Sequence, residues 1–226
     1  MTNATPVIAI DGPAASGKGT IARKIAAALD FNYLDTGLLY RAIGYGVTSA
    51  GGNPSDLQTA LAIARSLPGQ IHADPAFLQN PDLRTDAASE SASLVASMQD
   101  VRAVILALQR DFAQNPGKSP NGNSYLGAVL DGRDIGTVIC PAAPAKLFVS
   151  AAVETRAQRR LKELQSRGIT TTYEAVLRDM RERDARDAER KIAPMKPAGD
   201  ALELDTTDLN PDQAFQKAMD YIRSRL

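Results

Sequence analysis

Apolar residues follow two alternating rhythms along this chain. Short apolar-rich runs, "VIAI" (7–10), "FNYLD" (31–35), "AVLD" (128–131), "KLFVS" (146–150) and "ALELD" (201–205), have the length and composition of buried strands. Between them apolar positions recur every three or four residues. Ile21, Ile25 and Leu29 form one face of 17–29, with Arg23 and Lys24 on the other side. Residues 36–47 read as a second helix with Thr36 as candidate N-cap. "AGGNP" (50–54) is a turn, and Leu57, Leu61 and Ala64 mark a short helix after it. The segment 68–84 contains Pro68, Gly69, Pro75 and Pro81 and reads as loop with one or two short strands. Helices follow at 87–98 and 100–114, then a polar loop, "NPGKSPNGNSYLG" (115–127). Further helices are predicted over 154–168, 172–191 and 211–226, the last with Phe215, Met219 and Ile222 on one face. Strands that alternate with helices predict the α/β class: a five-stranded parallel sheet with helices on both faces.

Composition narrows the functional classes. The 226 residues suffice for one sizeable core with small lobes. Lys+Arg and Asp+Glu both total 26, a balance that argues against a dedicated nucleic-acid binder. Cys140 is the only cysteine, so an internal disulfide and a cysteine-held zinc are excluded, and a reducing, cytoplasmic setting is expected. "MTNATP" lacks the basic start and apolar stretch of a signal peptide, and no apolar run is long enough to span a bilayer, so no membrane association is expected. His72 is the only histidine, which leaves one candidate for any histidine-based chemistry.

"GPAASGKGT" (12–20) follows a strand and opens an amphipathic helix. Gly12, Pro13, Ala14, Ala15, Ser16, Gly17, Lys18, Gly19 and Thr20 therefore read as a phosphate-binding loop. Glycines let backbone N–H groups wrap an anion, Lys18 reaches the β- and γ-phosphates, and the Thr20 hydroxyl suits Mg²⁺. The common motif puts Ser or Thr directly after the lysine, whereas Gly19 intervenes here, and "GKGT" resembles the loop of nucleoside monophosphate kinases. No guanine-reading N-K-x-D motif accompanies it, which disfavours a GTPase switch. Arg41 in "LDTGLLYR" (34–41) and Asp131, Arg133 and Asp134 in "DGRDIGT" (131–137) follow strands, at the rim where α/β proteins bind ligands.

Taken in order, the phosphate loop, "DTGLLYR", "DGRDIGT", "RERDARDAERK" and "IAP" resemble the bacterial cytidylate kinases over nearly the whole chain. The resemblance implies transfer of the γ-phosphoryl group of ATP to CMP or dCMP, giving CDP or dCDP and ADP, with Mg²⁺. It implies a single P-loop kinase domain: a core of about 1–50, 100–168 and 192–226, a monophosphate-binding insert at about 51–99, and a helical lid at about 169–191. Thr36, Gly37, Tyr40, Arg41, Ser93, Arg102, Arg133, Asp134, Arg183 and Asp187 would bind CMP. Arg41 and Arg133 would grip its phosphate, because the guanidinium fork matches phosphate oxygens. Asp134 would accept from the exocyclic amine of cytosine, with Ser93 and Arg102 on the base's acceptor edge, and Asp187 would hold the sugar hydroxyls. Lys18, Arg133, Arg183 and Arg190 would stabilise the transferring phosphoryl group, and Thr20 and Asp131 would serve the metal.

The charged segment 174–191 also reads as a solvated helix braced by Glu182–Arg186, Asp179–Arg183 and Asp187–Lys191. Arg183, Asp187 and Arg190 share one of its faces, where arginines could close over two anions brought together. Small-molecule substrates and a monomer are expected. The insert region is shorter than in the family, the loop 115–127 longer, and Leu38 stands where a small residue is usual. The rival readings are a kinase of this fold with another acceptor (AMP, UMP or shikimate) and a nucleotide-binding regulatory switch.

Overall fold

The computed structural model describes residues 5–74, 76–190 and 192–226. The leaderless reading of "MTNATP" falls partly outside these residues, as do Pro75 of the segment 68–84 and Lys191 of the Asp187–Lys191 pair. The described chain divides into two compact units, residues 1–34 with 113–226 and residues 35–112.

The first unit is built on the predicted parallel sheet. Strands β1 (Val7–Asp11), β2 (Phe31–Asp35), β3 (Gly127–Gly132), β4 (Ala145–Ser150) and β5 (Leu202–Asp205) lie in the order β2-β3-β1-β4-β5. β1 pairs in parallel with β3 on one side and β4 on the other, so all the strands flanking it arrive by crossovers. β3 is buried at every residue and β1 at all but its first, as expected of strands covered on both faces. One face carries Ile8, Ile10, Val129, Leu147, Val149 and Leu204 against helices α1 (Lys18–Leu29) and α8 (Pro211–Arg223). α8 starts at a capping box, in which Asn210 and Gln213 satisfy each other's backbone N–H groups.

A smaller core joins α6 (Val153–Ser166) to α7 (Tyr173–Ala188). Ala157, Leu164, Val176 and Met180 are buried in it, with Tyr173, Leu177 and the loop alanines Ala14 and Ala15 packed alongside. The charged helix is thus amphipathic. Its stripe of Tyr173, Val176, Leu177 and Met180 is obscured in the sequence by the density of charge around it.

The second unit consists of α2 (Thr36–Ser49), α3 (Leu57–Ala73), α4 (Asp86–Val95) and most of α5 (Gln99–Gln114). Three expectations are corrected here. Asp35, not Thr36, caps α2, its carboxylate accepting from the Gly37 N–H at 3.0 Å. α3 is a 17-residue helix that continues through Pro68, not a short one. The described residues of 68–84 hold the end of α3 and two 3₁₀ turns (Phe77–Gln79 and Pro81–Arg84), and no strand. α2 and α4 cross closely at Gly44, where a Cβ would stand 2.6 Å from that of Ser91. No single helix among the described residues is long and apolar enough to cross a membrane.

Candidate functional site: a phosphate loop and an arginine cluster

The loop's shape follows from where β1 ends. Gly12 leaves the strand at φ 146°, and a Cβ there would stand 2.0 Å from the Val149 carbonyl oxygen on β4. Only glycine fits that position. Ala15 holds a left-handed φ of 57°, a conformation that costs a non-glycine residue about 1 kcal/mol or more and concentrates at ligand clamps. The loop carbonyls are tied back by side chains. Pro13 O lies 3.5 Å from Lys18 Nζ and Ala14 O 3.4 Å from an Arg156 nitrogen. Ser16 O accepts from Thr206 at 2.8 Å and lies 3.4 Å from Arg159. α1 begins on Gly17 with no side chain capping its first turn. Such a loop presents backbone N–H groups and a helix N-terminus to an anion.

Two buried carboxylates stand at the strand ends. Asp131, on β3, has Lys18 Nζ 3.7 Å from Oδ1 and accepts from the Tyr33 hydroxyl at 3.0 Å through Oδ2. Asp11, on β1, accepts from the N–H groups of Ile135 and Gly136 at 2.7 and 2.8 Å. Burial pushes the Asp11 carboxyl up to about 7; these two hydrogen bonds act against it, and Asp134 and Asp131 add to it. The two N–H groups open a π-helical turn, Ile135–Ile139, directly after the buried Asp134. Asp11 therefore fastens the backbone that carries Arg133 and Asp134.

Asp187 on α7 is the centre of the arginine cluster. It is 2% exposed, accepts from Arg133 Nε at 3.0 Å, and pairs with Arg190 one turn on. Burial acts to raise its carboxyl, but the charges of Arg133, Arg190 and Arg183 prevail and hold it below the usual carboxylate range. A second pair fixes the helix: Arg156 on α6, itself buried, meets Asp184 with a two-pronged contact at 2.6 and 3.2 Å. Arg186 reaches the Glu182 backbone carbonyl.

In the second unit the Arg41 guanidinium donates to the carbonyls of Leu83 and Thr85 at 3.0 and 3.2 Å and to Ser89 Oγ at 3.0 Å. Arg102 stacks over the Tyr40 ring at 5.7 Å and lies 3.4 Å from the Ala96 carbonyl. Thr36 and Ser93 are buried, Ser93 on α4. Sequence reasoning missed Asp11, Tyr33, Arg156, Arg159, Asp184 and Thr206. Asp11 had a visible signal, a carboxylate ending an apolar run; the others look like ordinary polar positions.

A glycine loop that leaves a parallel strand for a helix, with a lysine at its end and a buried carboxylate beside it, defines a P-loop nucleotide-binding fold. The family model described as cytidylate kinase matches residues 8–224, and the chain belongs to that family. It is 55% identical over 219 residues to a cytidylate kinase of Paramagnetospirillum magneticum, covering 97% of this chain and 98% of that one. A cytidylate kinase of Rhodospirillum rubrum is 55% identical over 216 residues, 96% of each chain, and one of Granulibacter bethesdensis 50% over 220, 97% of each. The crystal structure of an uncharacterized protein from Eubacterium ventriosum shares the fold, with TM-score 0.52 and 16% identity over 97% of this chain and 99% of that one.

Proposed function

We propose that this protein transfers the γ-phosphoryl group of ATP to CMP or dCMP. The observation that carries this reading is the Asp187 cluster, which gathers arginines apart from the loop lysine, as a reaction joining two phosphate-bearing substrates needs. A phosphate oxygen of CMP attacks the γ-phosphorus. The new P–O bond forms as the bridging bond to ADP breaks, and no protein nucleophile takes part.

Gly12 to Thr20 hold the ATP phosphates, and Lys18 leaves Asp131 to follow the γ-phosphoryl group. Arg133, Arg183 and Arg190 stabilise the charge in transfer. CMP is held by Arg41 and Arg133 at its phosphate, Asp134, Ser93 and Arg102 at its base, and Asp187 at its sugar, with Thr36, Gly37 and Tyr40 lining its place. Residues at about 51–99 form the monophosphate-binding insert and about 169–191 the lid.

Mg²⁺ suits the oxygen donors at the loop. Asp131 Oδ2 lies beside Gly19, whose neighbours in the chain are Lys18 and Thr20, and Mg²⁺ is usually held by one or two protein oxygens together with substrate phosphates. The ion would neutralise charge on the ATP phosphates.

A panel of CMP, dCMP, UMP, AMP and shikimate as acceptors, with ATP and Mg²⁺, tests the reading. Turnover is expected on CMP and dCMP. Faster turnover on AMP, UMP or shikimate would overturn the acceptor assignment, and ATP hydrolysis indifferent to every acceptor would overturn the transferase.

A further inference from the structure

We propose that Tyr33 is a positioning residue for the ATP half of the site, holding the Asp131 carboxylate in place when Lys18 leaves it for the nucleotide. The inference rests on the kinase reading above and on Asp131 as partner of the metal. Asp131 is 3% exposed, and its two oxygens are differently engaged. Oδ1 faces Lys18 at 3.7 Å, and Oδ2 accepts from the Tyr33 hydroxyl at 3.0 Å. A lysine that serves phosphates when ATP is bound is a temporary partner for a carboxylate. The tyrosine is a permanent one, because its ring is packed on the main core and its position is set by β2.

Gly19 supports the same arrangement from the other side. A Cβ there would stand 3.1 Å from Asp131 Oδ2, tighter than an ordinary contact, and 3.7 Å from the Tyr33 hydroxyl. The glycine between Lys18 and Thr20 is thus the clearance that the Tyr33–Asp131 pair occupies. Arg23 faces the Tyr33 ring at 5.9 Å, on the α1 side. With the hydroxyl gone, the carboxylate loses a fixed donor to Oδ2, and its orientation is held less firmly. The oxygen that stands beside Gly19 is then less firmly placed.

The test is ATP binding by titration calorimetry, in Mg²⁺ and in EDTA, for the unaltered protein, Tyr33→Phe, Asp131→Asn and the double variant. Tyr33→Phe keeps the ring, so its thermal midpoint and its affinity for CMP should be unchanged. It should weaken ATP binding in Mg²⁺ by about three- to tenfold, the worth of one hydrogen bond, and leave binding in EDTA within about twofold. On the Asp131→Asn background it should add no further loss. Equal losses in Mg²⁺ and EDTA would overturn the proposal, since a purely structural tyrosine acts on both. So would no loss at all, or the same loss in the Asp131→Asn background. An unaltered protein that binds ATP no better with Mg²⁺ would overturn Asp131 as the metal's partner and with it this proposal, whereas one that does not phosphorylate CMP would overturn the kinase reading on which this one stands.

Discussion

Asp187 and Arg183 divide two tasks that side chains of one helix face usually share. Asp187 is locked between Arg133 and Arg190, and the charge of Arg183 helps to hold its carboxyl below the usual carboxylate range. Arg183→Ala is expected to lower kcat about a hundredfold, the effect of deleting one donor to transferring charge, while ATP affinity changes only a few-fold. Equal losses in kcat and in ATP binding measured by calorimetry would refute a transition-state role. Gly12→Ala tests the loop differently. Its Cβ meets the Val149 carbonyl at 2.0 Å, a clash with backbone that cannot swing aside. A loss of about 4 kcal/mol or more is expected in urea unfolding, together with loss of ATP binding.

At the scale of elements, α7 shows what the sequence made legible and what it hid. Periodicity placed the helix within a few residues, and Arg183 and Asp187, one turn apart by spacing, both lie on it, whereas Arg190 lies beyond its last residue. The buried stripe that docks α7 on α6 was masked by surrounding charge. The partner of Asp184 could not be read at all, because Arg156 lies 28 residues away and nothing local marks an arginine as buried. The same limit explains α3. Pro68 and Gly69 are breakers by local chemistry, yet the helix runs on through them, with Leu67 fully buried in its interior. The strands were legible, most clearly β1 and β3, apolar runs buried on both faces whose signal needs no long-range information; their order in the sheet was not. The docking of α7 yields its own prediction. Asp184→Ala leaves Arg156 buried without its carboxylate, and about 2–3 kcal/mol of local stability should be lost, less than for a fully buried pair because Asp184 is partly exposed. Faster amide exchange across α6 and α7, with β1 and β3 unchanged, is the expected readout; uniform protection would refute it.

For the whole molecule, two carboxyls pull the pH dependence of stability in opposite directions. Asp187 titrates below the unfolded carboxylate range, so its contribution is present above that range and is lost as pH falls through its folded value. Asp11 is raised from 3.8 to about 7. Between those values the folded protein holds a proton that the unfolded chain has released, so the Asp11 contribution is full below about pH 4 and declines until about pH 7. Asp11→Asn should therefore flatten the stability curve between pH 4 and 7, read as urea midpoints at pH 5 and pH 8. An unchanged difference between the two midpoints would show that Asp11 does not titrate in that window.

The pairing of Asp187 with Arg133 and Arg190 also bears on how the empty protein meets salt. Those arginines already carry an internal counterion, so under the proposed function an arriving phosphate would exchange for a carboxylate instead of meeting bare positive charge. Chloride, sulfate and free phosphate gain little by lodging there, since each must displace a tethered competitor at high effective concentration. Only a ligand that also gives Asp187 new partners, such as a pair of hydroxyls, recovers what the displaced carboxylate loses. Under the proposed function, selectivity for a nucleotide over a simple anion would in this way be set before any base is read.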